Sequence, residues 1–205
     1  MLIRDWGRRP YIELLQAMQE WVQQAEAEQP DEIWFVEHDP VFTLGQAGDP
    51  SHILNSARVP VVHSDRGGQV TYHGPGQMVV YFLLSLQKHD LGPKALVHKV
   101  ENLLIDLLQQ FNIEAIADSD KPGLYVEGDK IASLGFRIRR GHSYHGIALN
   151  VDMDLTPFDC INPCGYQGLH MTQMKDLLHE KSPSFDEVKE RFRTIVQKEF
   201  EFEVN

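Results

Sequence analysis

The sequence predicts an α/β protein of the α+β type, in which a mixed β-sheet is flanked by helices. Three segments have apolar residues at every third or fourth position, which is the spacing of an amphipathic helix. Other short segments are apolar and rich in aromatic and β-branched residues, as buried strands are. The two kinds of segment alternate irregularly along the 205 residues. This order favours a mixed sheet over a strict succession of strand, helix and strand.

The three predicted helices each carry an apolar face. The first follows Pro10, a residue favoured in the first turn of a helix, and its apolar face runs from Tyr11 to Ala25. The second covers residues 94–111 and is rich in leucine. The third begins at Ser184 and has Glu187 three residues later, which is the capping-box pattern of a helix N-terminus.

Four strands are predicted at residues 33–37, 78–84, 131–139 and 144–153. The third is expected to place Leu134, Phe136 and Ile138 on one face. The last alternates most clearly, so that four side chains share one face: Ile147, Leu149, Val151 and Met153.

Length and charge limit the function further. A chain of 205 residues is expected to form one domain over residues 1–205. Its formal net charge of −11 argues against a nucleic-acid-binding protein. No apolar run is long enough to span a membrane, and the N-terminus lacks the apolar core of a signal peptide. We therefore expect a cytoplasmic protein without membrane association, in which Cys160 and Cys164 are free thiols.

The most unusual segment is Arg66–Gln77, which contains four glycines, one proline, one arginine and one histidine. Gly67 and Gly68 permit close approach of the backbone to a ligand or a positive φ. Residues 70–73 are predicted as a short strand that ends at His73. The alternative interpretation is a glycine-rich hairpin that binds nothing. The segment lacks the Gly-Lys-Ser/Thr of a phosphate-binding loop.

Two further segments place polar side chains at apolar strands. Lys130 enters the strand at 131–139, either as a solvated side chain or as a partly desolvated cation that acts on a neighbour. His145 precedes Gly146 and Ala148, whose small side chains suit the wall of an acyl or aromatic pocket. The alternative for His145 is a hydrogen-bonded histidine in a core strand.

Cys164 lies between Pro163 and Gly165, which indicates a turn, and a cysteine in such a loop can act as a nucleophile beside a positive group. Cys160 has apolar neighbours and is interpreted as a packing residue. A metal site is an alternative, because Cys160, Cys164 and His170 are close in sequence. The chain has no paired CxxC motif and no HExxH motif, so no metal is expected.

Taken together, these segments resemble the octanoyltransferase family of lipoate biosynthesis, the octanoyl-carrier-protein:protein N-octanoyltransferases. The stretch Arg66–Tyr81 matches a long family signature, RGGxxTYHGPGQxxxY. Gly128–Gly135 (GxKIAxxG) and Asn162–Gly165 (NPCG) are similar to two further family motifs, in the expected order. Residues 37–45 add to the resemblance, and no motif position departs from the family pattern.

The resemblance implies a fold related to biotin and lipoate protein ligases, and a reaction without cofactor or metal. An octanoyl or lipoyl group would move from acyl carrier protein to a cysteine and then to a specific lysine of a lipoyl domain, the first step of endogenous protein lipoylation. By position, Cys164 matches the acyl-thioester cysteine and Lys130 the lysine that lowers its pKa. The remaining matches are acyl-substrate-binding residues: Arg66, Gly67, Gly68, Gln69, Val70, Thr71, Tyr72, His73, Ser133, Leu134, Gly135, Gly146, Ile147 and Ala148.

The implied partners are octanoyl-acyl carrier protein as donor and, as acceptors, the lipoyl domains of 2-oxoacid dehydrogenases and the glycine cleavage H protein. A monomer is expected. Because acyl carrier protein is acidic and this chain is acidic too, docking must use local basic runs. Two are present: Arg137, Arg139 and Arg140, and Arg4, Arg8 and Arg9. Either could instead be a solvated basic face.

Three alternatives from other classes stay open. An ATP-dependent lipoate or biotin ligase of the same fold would form an acyl-adenylate and need no cysteine. A non-catalytic module could bind the carrier protein without turnover. A metallohydrolase is the weakest of the three. The roles of His73 and His145, as orienting or as purely structural groups, also stay open, and oxyanion donors are expected after Gly165 or in a turn at 133–135.

Overall fold

The computed structural model describes residues 1–26, 29–56, 58–118, 121–166 and 168–201, except for the side chains of Cys164 and Glu201. Within these ranges the chain forms the strands β1 (Leu2–Arg9), β2 (Glu32–His38), β3 (Val41–Leu44), β4 (Val61–His63), β5 (Val70–His73), β6 (Gln77–Leu83), β7 (Ile116–Ala117), β8 (Gly123–Val126), β9 (Asp129–Arg139) and β10 (His142–Asn150). The helices are α1 (Tyr11–Gln24), α2 (Pro93–Gln109), α3 (Met174–Leu178) and α4 (Phe185–Glu201).

The strands form two sheets. The larger has the order β1-β2-β6-β10-β9-β8-β7, and the smaller has the order β4-β3-β5. In the larger sheet β1 and β2 are parallel, whereas β2 and β6 and the following neighbours are antiparallel. The predicted mixed sheet flanked by helices is therefore confirmed.

Apolar side chains cover both faces of the larger sheet. On one face α2 and α4 bury a cluster that includes Phe82, Leu104 and Phe192. On the other face α1 packs Met18 and Val22 against Trp34 and neighbouring residues. Burial of a side chain of this size contributes about 1.5–3 kcal/mol to stability, so these two clusters hold the sheet between its helices.

The predicted helices are confirmed with small shifts at their ends. The backbone N–H of Glu187 donates to Ser184 Oγ at 3.2 Å, as the capping pattern predicts for the start of α4. The helix α2 ends two residues early, because Asn112 adopts a left-handed φ of 58° and Ile113 N–H closes onto the Leu108 carbonyl.

The strand predictions are confirmed in position, with one error at the end of β10. Leu134, Phe136 and Ile138 share the face that packs on the α2 and α4 side. Met153 was predicted on the face of Ile147 and Leu149, but β10 ends at Asn150 and Met153 packs in the cluster of the smaller sheet instead. The chain turns there because Val151 N–H and Asp152 N–H both donate to the Gly76 carbonyl.

Several elements have no counterpart in the sequence prediction. The edge strand β1 is mostly exposed and polar, so it lacks the apolar alternation by which strands are recognised. In the smaller sheet β5 (Val70–His73) confirms the predicted short strand, whereas β3 and β4 have only four and three residues and are too short for a periodic pattern. Among the described residues no helix is long and apolar enough to cross a bilayer.

Candidate active site

A cleft lies between the larger sheet and the glycine-rich segment that precedes β5. It holds about 480 Å³ of empty space, open solvent included. The lining residues come from α1, the glycine-rich segment, β5, β6, β9 and β10: Tyr11, Arg66, Gly68, Gln69, Val70, Thr71, His73, Val79, Tyr81, Ser133, Leu134, Gly135, His145, Gly146, Ile147 and Ala148. Much of this lining is apolar, which suits an acyl chain.

The cleft brings together twelve of the fourteen residues that the sequence predicts as acyl-binding. The two others, Gly67 and Tyr72, lie behind it. Tyr72 points into the core of the smaller sheet, where its ring centroid is 5.5 Å from those of Phe42 and Phe158. Gly67 N–H donates to the Phe136 carbonyl at 3.1 Å, so it fastens the loop to β9.

Arg66 holds the glycine-rich loop in shape from within. Its guanidinium is buried and donates to Thr43 Oγ1, to the Thr43 carbonyl at 2.7 Å and to the Gln69 carbonyl at 2.7 Å. A further bond reaches the Gly67 carbonyl at 2.8 Å. Gly45 makes this arrangement possible, because a Cβ there would overlap the Gly68 carbonyl oxygen. Arg66 thus lines the cleft and also fixes its wall.

Two buried histidines beside the cleft are held neutral. Desolvation lowers the pKa of His38 to about 4 and that of His73 well below its usual value. His38 Nδ1 donates to the Arg9 carbonyl, so Nε2 accepts the Tyr81 hydroxyl at 2.6 Å. His73 Nδ1 donates to Gln77 Oε1 at 2.7 Å. Each ring is therefore fixed in one tautomer.

His145 is the histidine of the cleft with the most unusual geometry. It is buried, it has a positive φ of 59°, and its Nε2 donates to Asp65 Oδ1 at 2.8 Å. Its Nδ1 is buried without a hydrogen-bond partner in the described part of the chain. Burial lowers the pKa of His145, although the Asp65 carboxylate opposes the effect. The expectation of a hydrogen-bonded histidine in a core strand describes this geometry, and the ring also lines the cleft.

Asp65 is a site residue that the sequence reasoning missed. Besides His145 it accepts the Tyr144 hydroxyl at 2.6 Å and Gln19 Nε2 at 3.2 Å. Burial alone would raise the pKa of Asp65, but the hydrogen bonds from His145 and Tyr144 outweigh it and hold the pKa well below its usual range. Its position directly before Arg66 was the available signal. Tyr11, assigned to the core as part of a helix face, was missed as well.

Gly146 serves the sheet more than the cleft. A Cβ at this position would overlap the Val80 carbonyl oxygen of β6. The absent side chain therefore permits β10 to approach β6 immediately after the strained His145. The sequence predicts that Gly146 limits side-chain bulk in a pocket wall. The close approach of β10 to β6 is a second reason for glycine at this position.

Lys130 is fully buried, so the interpretation as a solvated side chain is wrong. Its Nζ donates to the Pro122 carbonyl at 2.7 Å and lies 5.4 Å from the centre of the Tyr125 ring. Gly123 makes room for it, because a Cβ there would overlap Lys130 Cε. The lysine is held between β8 and β9, where its charge is shielded from water.

The backbone of Cys164 lies in a short 3₁₀ helix, Pro163–Gly165, as the turn-forming neighbours predict. The side chain of Cys164 is outside the described part of the structure, so its contact with Lys130 stays a prediction. Cys160 is a half-buried free thiol packed against the core of the smaller sheet.

The turn that carries Cys164 adjoins both the cleft and the lysine segment. A Cβ on Gly165 would lie 3.3 Å from Gln69 Cγ, and Gln69 lines the cleft. Lys121 Nζ lies 4.9 Å from the centre of the Tyr166 ring. Lys121 directly precedes Pro122, whose carbonyl accepts a hydrogen bond from Lys130 Nζ. Farther on, the Lys130 N–H donates to the His170 carbonyl at 2.9 Å. Gly165 therefore lies near the cleft, Tyr166 near Lys121, and His170 at the backbone of Lys130.

The turn expected at residues 133–135 is wrong, because these residues lie within the strand β9. In antiparallel pairs successive residues direct their N–H groups to opposite edges. Since the Phe136 carbonyl accepts the Gly67 N–H, the Leu134 N–H lies on the same edge of β9, where Ser133 pairs with Gly123 of β8. The N–H groups of Gly165 and Tyr166 are already bonded to Asn162 and Pro163.

The structure also shows the surroundings of the two basic runs and of the residues considered as metal ligands. In the first run Arg137 binds Gln46 beside the cleft, and Arg139 and Arg140 are exposed. In the second run Arg4 pairs with Glu32 and Arg8 pairs with Asp39. Across the described side chains, no three histidine, cysteine, aspartate or glutamate residues converge as metal ligands.

Known proteins resemble this chain in sequence over most of its length. Residues 12–197 match the family model "Lipoyl protein ligase A/B catalytic domain". An octanoyltransferase of Vibrio vulnificus strain YJ016 is 56% identical over 177 residues, which cover 86% of this chain and 81% of the relative. An octanoyltransferase of Pseudomonas entomophila strain L48 is 55% identical over 191 residues, which cover 93% and 88%.

A solved structure shares the fold at much lower identity. A crystal structure of lipoate-protein ligase A bound with ATP has a TM-score of 0.79 and 13% identity, and the match covers 97% of this chain and 85% of the other. This likeness supports the fold alone.

Proposed function

Because this chain belongs to the family of lipoyl protein ligase A/B catalytic domains, and within it to the octanoyltransferases, we propose that it transfers an octanoyl or lipoyl group from acyl carrier protein to a lysine of a lipoyl domain. The chain is an acyltransferase. The proposal also includes a cysteine thioester intermediate, the carrier-protein donor and the particular acceptors. It further includes a monomeric state, one catalytic domain over residues 1–205 and a cytoplasmic location.

One observation carries the proposal. The apolar cleft formed by the glycine-rich segment, β9 and β10 adjoins the turn that carries Cys164: Pro163–Gly165 lies next to β5, and a Cβ on Gly165 would lie 3.3 Å from Gln69 Cγ. An octanoyl chain in this cleft would have its thioester end beside that turn. Each CH₂ group buried there contributes about 0.8 kcal/mol to binding.

In the first half-reaction the Cys164 thiolate attacks the thioester carbon of the octanoyl carrier protein. A free thiol is only a few per cent thiolate at neutral pH, so a nearby cation is needed to favour the thiolate. Lys130 supplies that cation. The carbon–sulfur bond to the carrier breaks, and the carrier thiolate takes a proton from the Lys130 ammonium.

In the second half-reaction the acceptor lysine amine attacks the Cys164 thioester. The Lys130 amine, now neutral, accepts the proton that the attacking amine loses. The carbon–sulfur bond to Cys164 breaks, and the Cys164 thiolate and the Lys130 ammonium are restored.

Neither half-reaction needs ATP, because a thioester is exchanged for a thioester and then for a more stable amide. The proposal therefore differs from an ATP-dependent ligase, and a direct test follows. Octanoyl carrier protein, a lipoyl domain and the purified enzyme are incubated after enzymatic removal of ATP. Intact-mass measurement is expected to show an octanoylated lipoyl domain. Octanoylation that requires ATP, or that persists with ATP in Cys164→Ala, would assign the chain to the ligases instead. Carrier-protein binding without product would indicate a non-catalytic module.

A further inference from the structure

The cleft has an open end and a buried end. At the open end the lining residues are partly or fully exposed to solvent: Gly68, Gln69, Ser133 and Gly135. At the other end Val79 and Tyr81 of β6 are only 1% and 3% exposed. The open end adjoins the Cys164 turn, because a Cβ on Gly165 would lie 3.3 Å from Gln69 Cγ. An acyl chain held at that turn would therefore point toward β6.

Strand pairing places Tyr81 at the buried end of a row of three residues across the larger sheet. Gly135 of β9 pairs with Gly146 of β10, and Gly146 pairs with Tyr81 of β6. Directly paired residues of antiparallel strands present their side chains on the same face. The row therefore has no side chains on β9 and β10 and an aromatic ring on β6. The neighbouring row also ends on β6 in its largest side chain: Ser133, Ala148 and Val79.

The length of this row suits a chain of eight carbons. Neighbouring strands lie about 4.8 Å apart, so that β9 and β6, with β10 between them, are separated by about 10 Å. With carbon–carbon bonds of about 1.52 Å, a fully extended eight-carbon chain is about 9 Å long. A chain that enters over Gly135 thus meets the Tyr81 ring with its last carbons.

The Tyr81 ring is fixed at its tip. Its hydroxyl donates to His38 Nε2 at 2.6 Å, and His38 Nδ1 donates to the Arg9 carbonyl at 2.9 Å. The His145 ring lies against Tyr81 in a T-shaped contact, with the ring centroids 6.1 Å apart. To make room for a longer chain, the Tyr81 ring would have to break a buried hydrogen bond, which is unfavourable.

We propose that Tyr81 is a specificity-determining residue, whose ring closes the cleft and limits the acyl group to the length of an octanoyl chain. The inference rests on the proposed function for the reaction in which this limit is used. The limit itself is a property of the cleft and can be measured without acyl transfer.

Two controls isolate the effect of the ring. Tyr81→Leu shortens the side chain that closes the cleft. Tyr81→Phe is the matched control, because it loses the same hydrogen bond to His38 but keeps the ring. Leu83→Ala weakens the same strand in the same buried cluster, at a residue that is not among those described as lining the cleft. All variants are compared at a temperature where circular dichroism shows them to be folded.

A further variant acts in the opposite direction and serves also if Tyr81→Leu does not fold. Ala148→Val adds bulk to the neighbouring row of the cleft, so we expect it to favour chains shorter than octanoyl. An unchanged chain-length preference in folded Ala148→Val would contradict the proposed path of the chain across β10.

The first readout is the binding of hexanoate, octanoate, decanoate and dodecanoate, measured by isothermal titration calorimetry. In wild type, Tyr81→Phe and Leu83→Ala we expect affinity to rise about fourfold for each added CH₂ group up to octanoate and then to stop rising. In Tyr81→Leu the rise should continue, so that the ratio of decanoate to octanoate affinity increases on the order of tenfold.

Three results of the binding experiment would overturn the inference. They are the same ratio in wild type and Tyr81→Leu, an affinity in wild type that rises through dodecanoate, and no binding of any of the four acids by wild type. An equal shift of the ratio in Tyr81→Phe or Leu83→Ala would also overturn it, because the effect would then come from a loosened strand and not from the ring.

The second readout is transfer to a lipoyl domain from acyl carrier protein loaded with the same four chains. We expect the ratio of kcat/KM for decanoyl to that for octanoyl to rise on the order of tenfold in Tyr81→Leu and to stay unchanged in Tyr81→Phe. Predicted fatty-acid binding without any transfer by wild type would refute the proposed function and keep the length limit. Transfer with the same ratio in wild type and Tyr81→Leu would keep the proposed function and refute the length limit.

Discussion

The His145 ring and the Asp65 carboxylate form a hydrogen-bonded pair at the cleft, with Nε2 and Oδ1 2.8 Å apart. The pair fixes the ring with its proton on Nε2, so that Nδ1 presents a lone pair that has no partner among the described residues. Because Asp65 is also bonded to Tyr144, one carboxylate orients two aromatic side chains of β10. Asp65 precedes the arginine that shapes the glycine loop, so the loop and the strand are linked at this point.

The first prediction concerns Asp65→Asn. The substitution removes the charge that accepts the protons of His145 and Tyr144, and we expect the free energy of unfolding to fall by about 2–3 kcal/mol. Octanoyl transfer is expected to fall as well, because the ring of His145 is no longer held in one tautomer.

Urea unfolding and a transfer assay measure the two effects. Gln19→Ala is the matched control, since Gln19 is the third and most distant donor to Asp65, at 3.2 Å. Equal stability losses in the two variants would contradict the special role of the pair.

The second prediction concerns the acid dependence of stability. The pKa of His38 is about 4 in the folded protein, whereas an unfolded histidine titrates near 6.5. Between these values the unfolded chain binds the proton and the folded one does not, so stability falls as the pH is lowered from about 6.5 to about 4. His38 alone is expected to account for about 3 kcal/mol of this loss.

Urea unfolding at pH 7 and at pH 4 measures the difference. In His38→Gln the loss between the two pH values should be smaller by about 3 kcal/mol, whereas the exposed His63→Gln should behave like wild type. An equal loss in wild type and in His38→Gln would refute this assignment.

The third prediction concerns carrier-protein docking at Arg139 and Arg140. These arginines are exposed and lie on the strand end beyond Arg137, which binds Gln46 near the cleft. The N-terminal run is the weaker candidate, because Arg4 and Arg8 are paired with carboxylates. Reversal of Arg139 and Arg140 to glutamate is expected to raise KM for octanoyl carrier protein and to weaken its dependence on salt.

Steady-state kinetics at two salt concentrations test this docking site. Reversal of Arg191 and Lys198 on α4 serves as the control, because it changes the net charge equally at another element. The same rise of KM in both double variants would indicate a general charge effect and not a docking site.

The fourth prediction concerns the thiol of Cys164. If the Lys130 ammonium favours the thiolate, Lys130→Ala must raise the thiol pKa, since each pKa unit corresponds to about 1.4 kcal/mol of lost stabilisation. The rate of alkylation by iodoacetamide, followed against pH in a Cys160→Ala background, reports this pKa. Superimposable profiles with and without Lys130 would remove the lysine from the mechanism.

Sequence reasoning reached the helices and the central strands because these depend on local patterns, and it reached the residues of the cleft through the resemblance to the octanoyltransferase family. A short stretch of sequence is enough to recognise the apolar helix faces of α1, α2 and α4 and the glycine segment at 66–77. The burial of Lys130 was not recognisable in this way, since it results from Gly123 at the start of β8 and from Pro122 directly before that strand. The pairing of Asp65 with His145 joins residues 80 positions apart, and no local pattern reports it.

The apolar pattern of the sequence also fails to predict the strand β1 and the end of β10. β1 pairs with β2 through backbone hydrogen bonds while its polar side chains face solvent. The sequence of β1 therefore has no apolar alternation that would predict a strand. The alternation of β10 continues in sequence to Met153, but the Gly76 carbonyl captures two N–H groups and turns the chain after Asn150.

The central claim is that the octanoyl group passes through a thioester on Cys164. The most direct measurement is peptide mapping by mass spectrometry after incubation with octanoyl carrier protein, without ATP and without acceptor. The account predicts an octanoyl adduct on the peptide that contains Cys164 in wild type and in Cys160→Ala, and none in Cys164→Ala, which is also expected to lose transfer. An adduct on Cys160, or full transfer by Cys164→Ala, would contradict it.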